Sequence, residues 1–142
     1  MKSLGEYTIR GKVAHSATER VTLFDGRFDT GYKIKSIEVL PNTYAATADG
    51  SIICHTEDTS PGAPDFSDQT QIGWASMAFD VNFGSPGGLN IVDPDNLIIE
   101  DLYITAYNND ATRETNYLIV MEKYEFSEFE GALSMVKNRS QA

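Results

Sequence analysis

Short runs in which apolar and polar residues alternate recur along this chain, separated by turn-forming residues. A period of two places every second side chain on one face, so each run reads as a half-buried β-strand. The runs are Tyr7 to Val13, Arg20 to Phe24, Tyr32 to Leu40, Ser51 to Thr56, Gly73 to Phe79, Leu89 to Val92, Leu97 to Ala106 and Asn116 to Phe126. Ile, Val, Thr, Tyr and Phe recur in them, residue types that fit a pleated surface. Eight such strands without an internal repeat predict an all-β fold, an antiparallel β-sandwich of jelly-roll-like arrangement. Seven would predict an immunoglobulin-like arrangement, and the sequence leaves that alternative open.

The last two runs carry the clearest pattern. In "LIIEDLYITAY" Ile98, Leu102 and Ile104 share a face, and in "NYLIVMEKYEF" Leu118, Val120, Tyr124 and Phe126 share one, interrupted by Glu122. With the polar "NNDATRET" between them, the two runs are expected to pair as a hairpin at the centre of a sheet and to supply the core. In "LFDGRFDTGYKIK", residues 23–35, Asp25-Gly26 and Thr30-Gly31 are turn signals, with Arg27 midway between Asp25 and Asp29. The stretch reads as a sheet corner tied by charge-assisted hydrogen bonds. In "DPDN" Pro94 suits the second position of a type I turn, and Asp93 can accept from the backbone two residues on. Thr56 to Gln71 and Asn82 to Asn90 are Pro/Gly-rich loops, expected to project from one end or edge of the sandwich.

Beyond Phe126 the period changes. Ser127 and Glu130 have capping-box spacing, and Phe129, Ala132, Leu133 and Val136 follow at i, i+3, i+4 and i+7. Lys137 and Arg139 close the last turn, where positive charge suits the helix dipole. One short C-terminal amphipathic helix of roughly three turns is predicted, residues 127–142 forming helix and tail, docked on the 1–126 sandwich as part of the same single domain, or on a neighbouring subunit.

A chain of 142 residues is about one domain in size. Its net charge of -10 is unevenly spread: residues 1–35 carry +3, residues 36–122 carry -13 with Arg113 as the one cation, and the last twenty are balanced. Phosphate backbones would repel most of such a surface, which argues against nucleic-acid binding. The basic N-terminal excess could face an acidic protein partner. No run approaches the ~20 apolar residues of a membrane span, and the first residues lack a signal-peptide core, so a soluble, unexported chain is expected. One cysteine, Cys54, makes no internal disulfide.

Candidate chemistry is sparse. Cys54 and His55 are adjacent on a strand and point to opposite faces, so they cannot readily act as nucleophile and base. A pair of Cys54 with His15 stays geometrically open, against the simpler reading of Cys54 as a small buried apolar residue and of both histidines at the surface or at strand ends. One Cys and two His are too few for a structural zinc site. Asp58, Asp65 and Asp68 share a loop, and Asp93, Asp95 and Asn96 a turn, but an EF-hand begun at Asp93 would place Ile98 and Ile104 where Gly and Glu are required. No phosphate-binding glycine motif or nucleophile elbow occurs. Glu100 and Asp101 face opposite sides of a strand and cannot share a glycosidic bond. Trp74, Tyr103 or Tyr107 could stack on sugars in a carbohydrate-binding sandwich, although a strand aromatic is more often core. No catalytic, cofactor or metal site is therefore assigned.

Three segments together resemble small structural proteins of tailed bacteriophages, particularly marine ones: "TLFDGRFDTGYKI" (22–34), "VDPDNLIIEDLYI" (92–104) and "NYLIVMEKYEFSEFEGALSMVKNRSQ" (116–141). The resemblance implies a virion component of the capsid decoration, or cement, type, a non-enzymatic sandwich that self-associates and binds the major capsid protein in particles assembled in the host cytoplasm. A tail, connector or receptor-binding component is the neighbouring alternative. Adhesion would be multivalent, each contact raising the effective concentration for the next. The terminal segments are the expected contact elements, with Arg10, Lys12, Phe129, Leu133 and Val136 as the residues making them.

Overall fold

In the computed structural model, which describes residues 2–43, 47–80 and 87–126, the chain forms two antiparallel sheets. Eight strands run in the order β1 (Lys2–Ala14), β2 (Thr18–Val21), β3 (Thr30–Pro41), β4 (Thr47–His55), β5 (Gln71–Asp80), β6 (Gly87–Val92), β7 (Leu102–Tyr107) and β8 (Glu114–Glu125). A strand overlaps each expected run; several are longer than the alternation marks, whereas β2 ends at Val21, short of Phe24, and β7 takes only the second half of Leu97 to Ala106. The expected C-terminal helix, with Phe129, Leu133 and Val136, lies outside the described residues.

One sheet has three strands, β1-β8-β3; the other has five, β2-β7-β4-β5-β6. Their facing sides supply Ile37, Val39, Tyr117, Ile119 and Met121 from the small sheet, and Ile52, Cys54, Ala75, Ile104 and Ala106 from the large one. Burying each of the larger aliphatic side chains contributes about 1.5–3 kcal/mol. Gly73 has no room for more: a Cβ there would lie 2.5 Å from Ile37 Cδ1. Tyr117 crosses the core, and its hydroxyl donates to Glu19 Oε1 of β2 at 3.0 Å.

The expected hairpin of the last two long runs does not form. β7 lies between β2 and β4, and β8 lies between β1 and β3 in the other sheet, so the two face each other across the core. Both edges of each strand are already taken. The polar connection is pinned elsewhere: Asn109 N–H donates to Asp49 Oδ1, Asn108 Nδ2 to Asp49 O and Arg113 Nη1 to Thr47 O. The buried face of β8 is also the opposite of the expected one, with Thr115, Tyr117, Ile119 and Met121 inside and Leu118 37% exposed. β8 is apolar on both sides over Tyr117 to Met121, so alternation could not choose between its faces.

The run Leu97 to Ala106 breaks in two. Its second half is β7, while Leu97, Ile98 and Ile99 are all buried and close one end of the sandwich. Leu97 and Ile99 pack with Phe126, Phe24 and Tyr124. Ile98 exchanges backbone hydrogen bonds of 2.7 and 2.8 Å with Tyr32. The corner at residues 22–29 carries the chain from the large sheet to the small one. Gly26 takes the positive φ of 86° that its turn needs. Arg27 donates Nε and Nη2 to the two oxygens of Asp29, at 2.8 and 2.7 Å. Asp25 accepts from Arg27 N–H, Thr30 Oγ1 and Lys123 Nζ, tying the corner to β8. The corner reading therefore holds, with the two acids divided between Arg27 and Lys123.

Candidate interaction surface

The two outward faces of the sandwich are finished in different ways. On β4, β5 and β7 the outward positions are Ile53, His55, Trp74, Tyr103, Thr105 and Tyr107, an unusually rich row for a solvent face. The β4–β5 loop lies over this row. Loop residues 56–70 thus fold back across the sheet, where the sequence predicted projection from one end or edge of the sandwich.

Side chains hold the loop down. Gln71 Oε1 accepts from Trp74 Nε1 and from Asp65 N–H, both at 2.9 Å, while Gln71 Nε2 donates to Ala63 O. Phe66 sits edge-on over Trp74, with ring centroids 4.7 Å apart, and Tyr107 Oη donates to Pro61 O. Trp74 is left 9% exposed and Ile53 2%. The three aromatics considered as a sugar platform are thus lidded or engaged by their own chain, and Tyr103 stacks on the His55 ring.

His55, expected at the surface or a strand end, ends β4 and is 1% exposed beneath the loop. Its Nδ1 faces the Glu57 carbonyl at 2.8 Å and its Nε2 faces Thr105 Oγ1 at 2.8 Å. A carbonyl only accepts, so Nδ1 carries the proton and Nε2 accepts from Thr105. Thr105 then accepts from Thr18 at 2.7 Å, and Thr18 from Ser60 at 2.9 Å. One directed chain of hydrogen bonds joins the loop, β2, β7 and β4. Burial favours the neutral ring and holds its pKa below the usual histidine value. Cys54 points the other way, fully into the core, and burial pushes its thiol up to about 12, far from a reactive thiolate.

The loop acids serve local structure. Asp65 accepts from Ser67 N–H and Oγ, Asp68 from Thr70 N–H and Oγ1, and Asp93 from Asp95 N–H, the turn contact expected in "DPDN". Among the described residues no three His, Cys, Asp or Glu side chains converge as metal ligands would. Buried Asp101 accepts from the Arg20 guanidinium and from Leu23 N–H, one wall of a polar cleft of about 280 Å³. That pair fixes the start of the corner onto β7.

Among the described residues, no loop covers the outer face of the three-stranded sheet. At one end it is cross-linked: Lys35 Nζ lies 2.7 Å from Glu6 and 3.7 Å from Glu122, which also accepts from Ser3 and Tyr124. At the other end the rungs read Arg10–Leu118–Glu38 and Lys12–Asn116–Leu40 across β1, β8 and β3. They form an open groove of about 520 Å³ with leucine on its floor. Glu38 accepts from Asn90 at 3.2 Å, whereas Arg10 and Lys12 form no ion pair among the described residues.

Two of the five residues expected to make contacts, Arg10 and Lys12, therefore share one wall of this groove; Phe129, Leu133 and Val136 lie outside the described residues. Sequence reasoning missed Leu40 and Leu118, and assigned Leu118 to the core. The available signal was the apolar character of both faces of β8. Phe66, 67% exposed in an acidic loop, was missed as well. The chain matches no known protein family and no curated protein.

Proposed function

We propose that this chain is a non-enzymatic virion structural protein, most simply a capsid decoration protein that self-associates and binds the major capsid protein. The observation that carries the reading is the contrast between faces. One outer face is largely covered by the chain's own loop, which leaves a small apolar pocket of about 120 Å³ beside Trp74 and Leu89. The other carries a wider leucine-floored groove edged by Arg10 and Lys12, which form no ion pair among the described residues. A surface of that kind suits adhesion to an acidic, partly apolar partner.

The strand order adds support. A jelly roll wraps a long antiparallel ribbon whose pairs are 1-8, 2-7, 3-6 and 4-5. Here β1-β8, β2-β7 and β4-β5 pair in this way. β6 instead joins β5 and reaches β3 through Asn90 and Glu38. Jelly rolls serve viral shells and lectins alike, so the fold supports a binding role without choosing the partner. The virion assignment rests on the three resembling segments, and a tail, connector or receptor-binding place in the particle is the second reading within it.

The test has two arms, mass spectrometry of purified particles and binding of the isolated chain to shells that lack it. Presence in particles and saturable shell binding are expected. A chain absent from particles that leaves shells bare would overturn the reading.

A further inference from the structure

We propose that copies of this chain join head to tail, the Phe66 tip of one copy seating in the Arg10–Leu118 groove of the next. The inference rests on the self-association in the reading above and specifies its contact. Phe66 is the most exposed of the large apolar side chains described, at 67%. It is held edge-on against Trp74, so little freedom is lost when it docks. In "PDFSD" it is flanked by Asp65 and followed by Asp68, and the loop from residue 56 to 70 contains acids and no Lys or Arg. Hydrogen bonds from Ser67 hold the Asp65 carboxyl below its usual pKa, so its charge persists through mildly acidic conditions.

The groove is the complement. Its floor is Leu118 and Leu40, its β1 wall carries Arg10 and Lys12, and its β3 wall carries Glu38, which accepts from Asn90. Its volume of about 520 Å³ is ample for a benzyl group, whose flanking acids would face the β1 wall. An aromatic anchor in an apolar pocket with opposed charges at the rim is the usual make-up of a contact hot spot. The net charge of -10 makes copies repel at long range. That repulsion is screened beyond about 8 Å at physiological salt, whereas rim pairs in contact lie well inside this distance.

The two halves of the contact lie on opposite outer faces of the sandwich, because Phe66 covers the five-stranded sheet and the groove belongs to the three-stranded one. One copy cannot satisfy both halves with a single partner by two-fold exchange of the same patch. The contact is therefore heterologous and propagates into a ring or a row, as a shell-bound array requires.

The test is sedimentation velocity over a concentration series with three samples: the unaltered chain, Phe66→Ala, and Arg10→Glu with Lys12→Glu. The unaltered chain should associate beyond a dimer. Phe66→Ala should weaken association about 30-fold or more, the loss expected of a hot-spot aromatic. The charge-reversed chain should likewise stay monomeric. Mixed together, the two variants should form a dimer and stop, since one retains the groove and the other the aromatic tip. A monomeric unaltered chain, a variant that associates undiminished, or a mixture that stays monomeric would each overturn the contact. Any of these results with shell binding intact would leave the binding to the shell standing, a monomeric unaltered chain removing the self-association; head-to-tail association by a chain absent from particles would do the reverse.

Discussion

The outer face of the five-stranded sheet and that of the three-stranded sheet are built from opposite materials. The first carries a tryptophan, two tyrosines and a histidine, the residues that would attract notice as a binding site, and it spends them on holding its own loop. The second carries Leu40 and Leu118 between ordinary charges, and among the described residues it is the one that no loop covers. Aromatic density is a poor guide to a binding face when a fifteen-residue loop is at hand to bury it; what marks a working surface is apolar area and charge that the chain does not itself complete.

The comparison can be broken first at the closed face. Trp74→Ala should cost about 3–5 kcal/mol of stability, because it removes a buried indole and the seat of Phe66. Urea denaturation would show this as a lower midpoint, and a loss under about 1 kcal/mol would mean that the loop is not packed as described. Thr105→Val should cost about 1–3 kcal/mol, since it leaves the buried His55 Nε2 without its donor.

The same chain of hydrogen bonds gives the closed face a pH dependence. Burial holds the folded His55 ring below its unfolded value of about 6.5, so the unfolded chain takes up the proton first. This contribution is complete above about pH 6.5 and is lost as pH falls toward the folded value. Thermal melts across that range should show the decline, and His55→Gln should flatten it. The smallest effect belongs to the open face: Arg10→Ala and Leu118→Gln should each change stability by no more than about 0.5 kcal/mol, as surface substitutions do. A large loss at Leu118 would mean that the groove is part of the core.

Most of the fold was legible in the sequence because every strand carries its own alternation and its own turn residues. The corner at Asp25 to Asp29 and the turn at Asp93 could be read locally, since their contacts lie within a few residues. Pairing could not. Whether β8 meets β7 edge to edge or face to face depends on which strands already hold its edges, and β1 and β3 lie far away in sequence. The inward face of β8 was ambiguous for a chemical reason, as Tyr117, Ile119 and Met121 alternate with Leu118 and Val120, all apolar. The loop over the large sheet was illegible for another. Its hold depends on Gln71 meeting Trp74 Nε1, Asp65 N–H and the Ala63 carbonyl, partners that only the folded chain supplies. Of the proposed contact site, the two cations were legible from the charge distribution, and the leucine floor beside them was not.

The central claim is that the groove on the three-stranded sheet is the surface this protein covers when it assembles. It is tested most directly by the rate at which a thiol reagent modifies Leu118→Cys, in the free chain and in the assembled particle. The native Cys54 stays silent in this measurement, buried and with its thiol pushed up to about 12. The account predicts rapid modification in the free chain and protection on assembly; equal rates in the two states would contradict it.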